Sequence, residues 1–178
     1  GAITVSASGA YAGYINFWNC PIFASDCNTI ISKDDEKTDQ TFVYFGLRAM
    51  QKHIYGLQKG GAQPHVYGKD LQKFMFPCPS YAKQIEFSKM AKQADKSEFV
   101  GFKSQFIEMF KGDNQVPLGD ICNIEKGATI TRNDVLHGEV PVVAGGQEPS
   151  CYHNVANREA GAITVSASGA YAGYINFW

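Results

Sequence analysis

Eighteen residues of this chain occur twice. Gly1 to Trp18 and Gly161 to Trp178 both read GAITVSASGAYAGYINFW, an offset of 161 − 1 = 160 positions in a chain of 178. Successive structural repeats keep an apolar pattern while their letters drift. Identity letter for letter therefore points to one unit of about 160 residues, cut inside a β-rich segment and carried past its own start. The chain reads as circularly permuted. Only one copy can occupy a given strand position, which leaves the other disordered or swapped into a neighbour.

The duplicated stretch has a physical reading of its own. Ala162, Thr164 and Ser166 alternate with Ile163, Val165 and Ala167, the two-residue period of a half-buried strand, and Gly169 to Gly173 supplies turn residues. A second strand runs from Tyr174 to Trp178. The hairpin tip carries Ser168, Gly169, Ala170 and Tyr171, small enough in the middle for a ligand to approach the backbone. A plain surface turn is the simpler alternative.

Between the copies, Pro21 to Ala24 and Asn28 to Ser32 read as short strands, and Lys33 to Asp39 as a charged loop. Val43, Leu47, Met50, Ile54 and Leu57 recur at steps of four and three, one face of an amphipathic helix from about Thr41 to Leu57, with Asp39 as its cap. Lys59 to Val66 (KGGAQPHV) is an exposed loop carrying Lys59, Gln63 and His65. A single helical turn at Lys69 to Lys73 and a short strand from Phe74 to Phe76 lead to Pro77 and Pro79.

From Ser80 to Lys111 there is no proline and one glycine, enough for a helix of about 45 Å. Two seams follow it. Phe87, Met90, Ala94, Ser97, Gly101 and Ser104 form one, and Phe99, Phe102, Phe106 and Met109 the other, the spacing of lengthwise packing on a second helix. The first seam is rich in small residues, which suits a dimer helix; the alternative is a helix lying on its own domain, which one of this length would outreach. A β-rich segment resumes at Val116, with a polar loop at Lys126 to Asn133, a strand at Val140 to Val143 and a second polar loop from Ala144 to His153.

Composition narrows the function. The formal net charge is −1, so a stand-alone binder of nucleic acid, which gains most of its affinity by neutralising phosphates, is disfavoured unless other subunits help. No run of eighteen apolar residues is present, and no basic region precedes an apolar one at the start, which makes the cytoplasm the expected location. Five irregularly spaced cysteines fit neither a disulfide framework nor a zinc knuckle, and Cys151 with His153 is a thin metal pair. No metal or other cofactor is expected. Neither a phosphate-binding glycine motif nor a nucleophile with its base is evident.

Read circularly from Val116, the unit resembles the specificity subunit of type I restriction-modification systems. The resemblance rests on Leu118 to Asp120, the Gly145–Gly146 turn, the ITVSASG strand, Lys69 to Leu71, and the run from Pro79 through Gln84 to Ser97, and it covers essentially the whole unit. It implies an α+β fold: a β-rich target recognition domain with short helices, plus one long α-helix for antiparallel helix pairing. The recognition domain would be split between residues 1–78 and 113–178, with the spacer and dimerisation helix at 79–112. Family members usually carry two recognition domains and two such helices. This chain has the parts of one, as a half-subunit or a window on a longer chain.

The resemblance further implies a non-catalytic DNA-recognition subunit. Its partners would be double-stranded DNA, a type I methyltransferase subunit, a type I restriction subunit and a second copy of itself, and its target bipartite and palindromic. Loops set in the major groove would read bases, with arginine and lysine suited to guanine and glutamine to adenine. The candidate readers are Lys59, Gln63 and His65; Lys126, Thr129, Thr131 and Arg132; Gln147 and His153; and Ser168 and Tyr171. Two other readings stay open: a β-rich module that binds carbohydrate or protein and dimerises through its helix, and a metal-dependent nuclease fragment using Cys151 and His153.

Overall fold

A computed structural model describes residues 3–6, 15–60, 64–93, 99–144 and 148–160. The fold is α+β. In chain order its elements are β1 (Ile3–Ser6), β2 (Ile15–Phe17), β3 (Phe23–Ala24), β4 (Cys27–Ser32), α1 (Gln40–Ala49), α2 (Gln51–Tyr55), α3 (Gly68–Gln72), β5 (Met75–Pro77), α4 (Tyr81–Gln93), α5 (Phe99–Phe110), β6 (Gln115–Pro117), α6 (Leu118–Ile121), β7 (Cys122–Lys126), β8 (Val140–Val143) and β9 (Cys151–His153).

Among the described residues, strands from both halves of the sequence meet in each of three sheets. The largest has the order β2-β1-β4-β7 and is antiparallel throughout, with Thr4 opposite Thr29 and Ile30 opposite Ile124. A second sheet, β3-β8-β9, joins β3 to β8 in parallel, and β5 pairs with β6. The buried run of β4, CNTIIS, holds the centre of the large sheet. Ile15 and Ile30 pass from that sheet into the main core, and Trp18, Ile22, Ala24, Cys27 and Val143 form a smaller one beneath the second sheet.

The expected amphipathic helix is present as α1 and α2, interrupted at Met50, where the backbone leaves helical geometry. Its cap is Asp39, whose Oδ1 accepts the Phe42 amide at 2.8 Å. The same carboxylate accepts the Ser88 hydroxyl of α4. The fully buried Gln84 reinforces that junction: its oxygen accepts the Asp39 amide (2.9 Å) and its amide donates to the carbonyls of Pro79 (2.9 Å) and Lys37 (3.1 Å). One glutamine thus ties the start of α4 to the start of α1.

The single continuous helix expected over 80–111 is corrected. In its place stand two helices, α4 and α5, which both pack on α1 and meet through their aromatic side chains, with residues 94–98 outside the described set. The Phe87 ring of α4 lies 5.2 Å from Phe106 and 5.5 Å from Phe110 of α5, and all three meet Phe42 of α1. At the far end Lys83 pairs with Asp113 (3.1 Å), and the Cys78 amide donates to the Asn114 carbonyl (2.8 Å). Burial explains the turn-back. A straight rod would leave one end of this aromatic face in water, whereas the returned helix buries Phe87, Phe106 and Phe110 against α1. Gly46 of α1 makes the close fit workable, since a Cβ there would sit 2.5 Å from the Phe76 ring and 2.6 Å from that of Phe106.

Candidate functional site

The antiparallel register gathers several expected loops at one end of the large sheet. Ser6 lies opposite Cys27, Val5 opposite both Ile15 and Asn28, and Asn28 opposite Lys126. The β1–β2 connection, the β3–β4 turn and the loop after β7 therefore all leave from this end. Asn28, buried in the middle, recruits a further segment: its Nδ2 donates to the Val66 carbonyl at 3.1 Å. Lys126 and the loop carrying Lys59 and His65 thereby become neighbours.

That recruited loop is tightly closed. Lys59 and His65 exchange backbone hydrogen bonds of 2.9 and 2.8 Å, and Gly60 turns the chain at φ 97, a left-handed angle that glycine adopts without a steric penalty. The Lys59 ammonium is 2.8 Å from Asp70, whose carboxyl it holds below the usual carboxylate range. Beyond the bridge the His65 and Tyr67 rings stack with centroids 5.9 Å apart, and the Lys69 ammonium sits 5.6 Å from the Tyr67 ring centre. Tyr67 is 45 % exposed. The sequence reading ended this loop at Val66 and missed Tyr67 and Lys69. An aromatic residue with a histidine two positions before it and a lysine two positions after it was the available signal.

After β7 the chain presses against the β3–β4 turn. The Gly127 amide donates to the Cys27 carbonyl (2.7 Å), and a Cβ on Gly127 would fall 2.0 Å from the Ser25 carbonyl oxygen, so only glycine fits. Lys126, Thr129 and Arg132 are exposed, and among the described residues neither Lys126 nor Arg132 makes an ion pair. Thr131 is engaged in its own turn: its amide (3.1 Å) and hydroxyl (2.5 Å) both donate to Asp134, lowering that carboxyl's pKa.

Arg158 and Asn157, for which the sequence alone offers no role, brace this end. The Arg158 guanidinium donates to the Thr29 hydroxyl (3.1 Å) and the Lys126 carbonyl (3.2 Å) and pairs with Glu125 (3.1 Å). Asn157 grips the Ala24 backbone from both sides, accepting its amide at 2.6 Å and donating to its carbonyl at 2.9 Å. Their roles depend on strands remote in sequence, so no local signal marks them.

His153 stands apart. It is 8 % exposed, its Nδ1 accepts the Leu136 amide (3.0 Å), and its ring meets Phe23 edge-on at 5.5 Å. These contacts hold the β7–β8 loop against β9 and turn the ring away from solvent. Gln63, Gln147, Ser168 and Tyr171 lie outside the described residues, as do Ala94 and Ser97. Of the dimer-helix candidates, Phe87 is buried in this chain's own core, Met90 is 39 % exposed, and Gly101 and Ser104 fall within α5. Among the described residues no group of three potential metal ligands is found, and no helix is long and apolar enough to cross a membrane.

A family model described as "Type I restriction modification DNA specificity domain" matches residues 1–103, more than half of the chain. The match takes in the 59–67 loop, Gln84 and the first part of α5, and ends before Leu118 to Asp120. No curated protein and no solved structure matched the chain.

Proposed function

The chain belongs to the family of type I restriction-modification DNA specificity domains, which recognise DNA targets, and on that premise we propose that it is the non-catalytic reader of a type I complex. The family match carries this reading. It directs a methyltransferase subunit and a restriction subunit to DNA in the cytoplasm. The near-neutral charge fits that division of labour, because partner subunits would supply most phosphate contacts.

The reading surface is the loop-bearing end of the large sheet. His65, Tyr67, Lys69 and Lys126 border it, with Thr129 and Arg132 on the adjoining loop. Lysine and arginine donors address guanine N7 and O6 in the major groove, where each base pair shows a distinct pattern. Gln63, Gln147, Ser168 and Tyr171, outside the described residues, are proposed as further readers. Thr131, already bound to Asp134, shapes its loop, Lys59 holds its own loop through Asp70, and His153 supports from within.

Two copies, paired through the α4–α5 region with Met90 on its exposed face, would present two identical readers. The target is then bipartite and palindromic. Co-expression with a type I methyltransferase subunit, followed by genome-wide mapping of adenine methylation, tests this. A palindromic bipartite motif is expected; two different half-sites would refute the symmetric pairing, and loss of complex and methylation together would refute the specificity role.

A further inference from the structure

The position held by β1 and β2 is defined from both sides. β1 pairs with β4 along Ile3 to Ser6, β2 covers the outer edge of β1, and the stretch places Ile15 (0 % exposed) in the main core and Trp18 (7 %) in the smaller one. Residues 161–178 repeat this stretch letter for letter, so Thr164 corresponds to Thr4, Ile175 to Ile15 and Trp178 to Trp18.

The chain leading to the second copy is anchored beside the same position. The Arg158 carbonyl accepts the Ile22 amide (2.9 Å), and its guanidinium reaches Thr29, the residue opposite Thr4. The six steps along the chain from Arg158 to Thr164 span up to about 20 Å, whereas neighbouring strands lie only ~4.8 Å apart. The second copy is therefore long enough to reach the position from where its own chain is held.

We infer that this sheet position accepts either copy: residues 161–178 seat against β4 in place of residues 1–18, with the same register and the same two core anchors. Identical side chains make identical contacts, so the two seatings differ only in how the seated stretch joins the rest of the chain. Such closure terms vary slowly with length. The duplicated stretch is then a built-in spare for the strand pair that frames the loop-bearing end of the sheet.

Trp18 and Trp178 are the only tryptophans in the chain, which makes occupancy readable in the intact 178-residue chain. Trp18→Phe leaves Trp178 as sole reporter. Adding Ile15→Asp to it places a charge in the core when the first copy is seated, and should drive the second copy in. The expected result is a blue shift of Trp178 emission, with cooperative unfolding kept and the midpoint within about 5 °C of the Trp18→Phe parent. Ile15→Asp with Ile175→Asp should abolish cooperative unfolding. Unfolding of the Trp18→Phe/Ile15→Asp chain, or a folded chain whose Trp178 emission stays that of a water-exposed indole, would overturn the inference. So would a cooperatively folded Ile15→Asp/Ile175→Asp chain.

Discussion

The rings of Phe87 and Phe110 lie 5.5 Å apart, at right angles within about ten degrees, although a continuous helix would separate them by about 35 Å. This contact defines the helical part of the molecule. It brings the end of α5 back to α4 and seals Phe42 beneath them.

Removing the contact should be costly. Phe87 is 2 % exposed, and Phe87→Ala is expected to lower stability by about 3–5 kcal/mol through lost burial and the cavity left behind. Urea denaturation followed by circular dichroism would measure it. A loss under 1 kcal/mol would mean that α4 and α5 do not fold back in solution.

Gln84 makes a different demand. Its amide oxygen and its amide nitrogen, through two donor bonds, join backbone groups at the α1 and α4 starts. Gln84→Leu keeps the approximate volume and strands those groups, so a destabilisation of roughly 2–3 kcal/mol is expected. Gln84→Glu, which keeps the acceptor but loses the donor, should also fall below wild type. Equal stability of Gln84→Leu and wild type would contradict the described junction.

The cysteines supply a pH prediction. Burial pushes both the Cys27 and Cys122 thiols up to about 12 from an ordinary value of 9.0, with the Asp26 charge adding to the effect at Cys27. Their folded pKa values exceed the unfolded ones, so this contribution to stability is complete below about pH 9 and is lost as pH rises towards about 12. The denaturation midpoint should fall across that window, and less steeply in a Cys27→Ala/Cys122→Ala chain. In the native protein a thiol reagent should modify the exposed Cys20 well before these two.

On the proposed reading surface, Lys126 and Arg132 are the cations to test. Lys126→Ala and Arg132→Ala should leave the unfolding midpoint nearly unchanged, since both side chains are exposed. In the complex with methyltransferase, a base-reading cation should cost about 1–3 kcal/mol and relax the motif at one position, whereas a phosphate contact should weaken all sites alike and flatten the salt dependence. Full methylation with an unchanged motif in both variants would remove these two residues from the interface.

Arg158 separates support from contact. Arg158→Lys keeps a charge but cannot span Thr29, the Lys126 carbonyl and Glu125 together. The expected outcome is faster amide exchange around Gly127 and Ala128, whose hydrogen bonds to Cys27 and Ala24 this brace protects. Unchanged exchange there would show the brace to be dispensable.

Short-range signals were legible in the letters. The period of three and four over Val43 to Leu57 gave α1 and α2, Asp39 gave the cap, and the alternation in ITVS and the run at Asn28 to Ser32 gave strands, because each depends on residues a turn or a pleat apart. The family, too, was readable from Pro79, Gln84 and the repeated strand. What the tertiary structure decided is where distant segments meet. Seam spacing at Phe87 and Phe106 suits a straight rod and a folded-back pair equally well, and only the shared burial against Phe42 selects the pair. Likewise Asn28, Arg158 and His153 are ordinary polar letters until β4, β7 and β9 come together around them. Their roles are fixed by long-range burial, which forces each enclosed polar group to find a partner, and that requirement exists only once the sheets have formed.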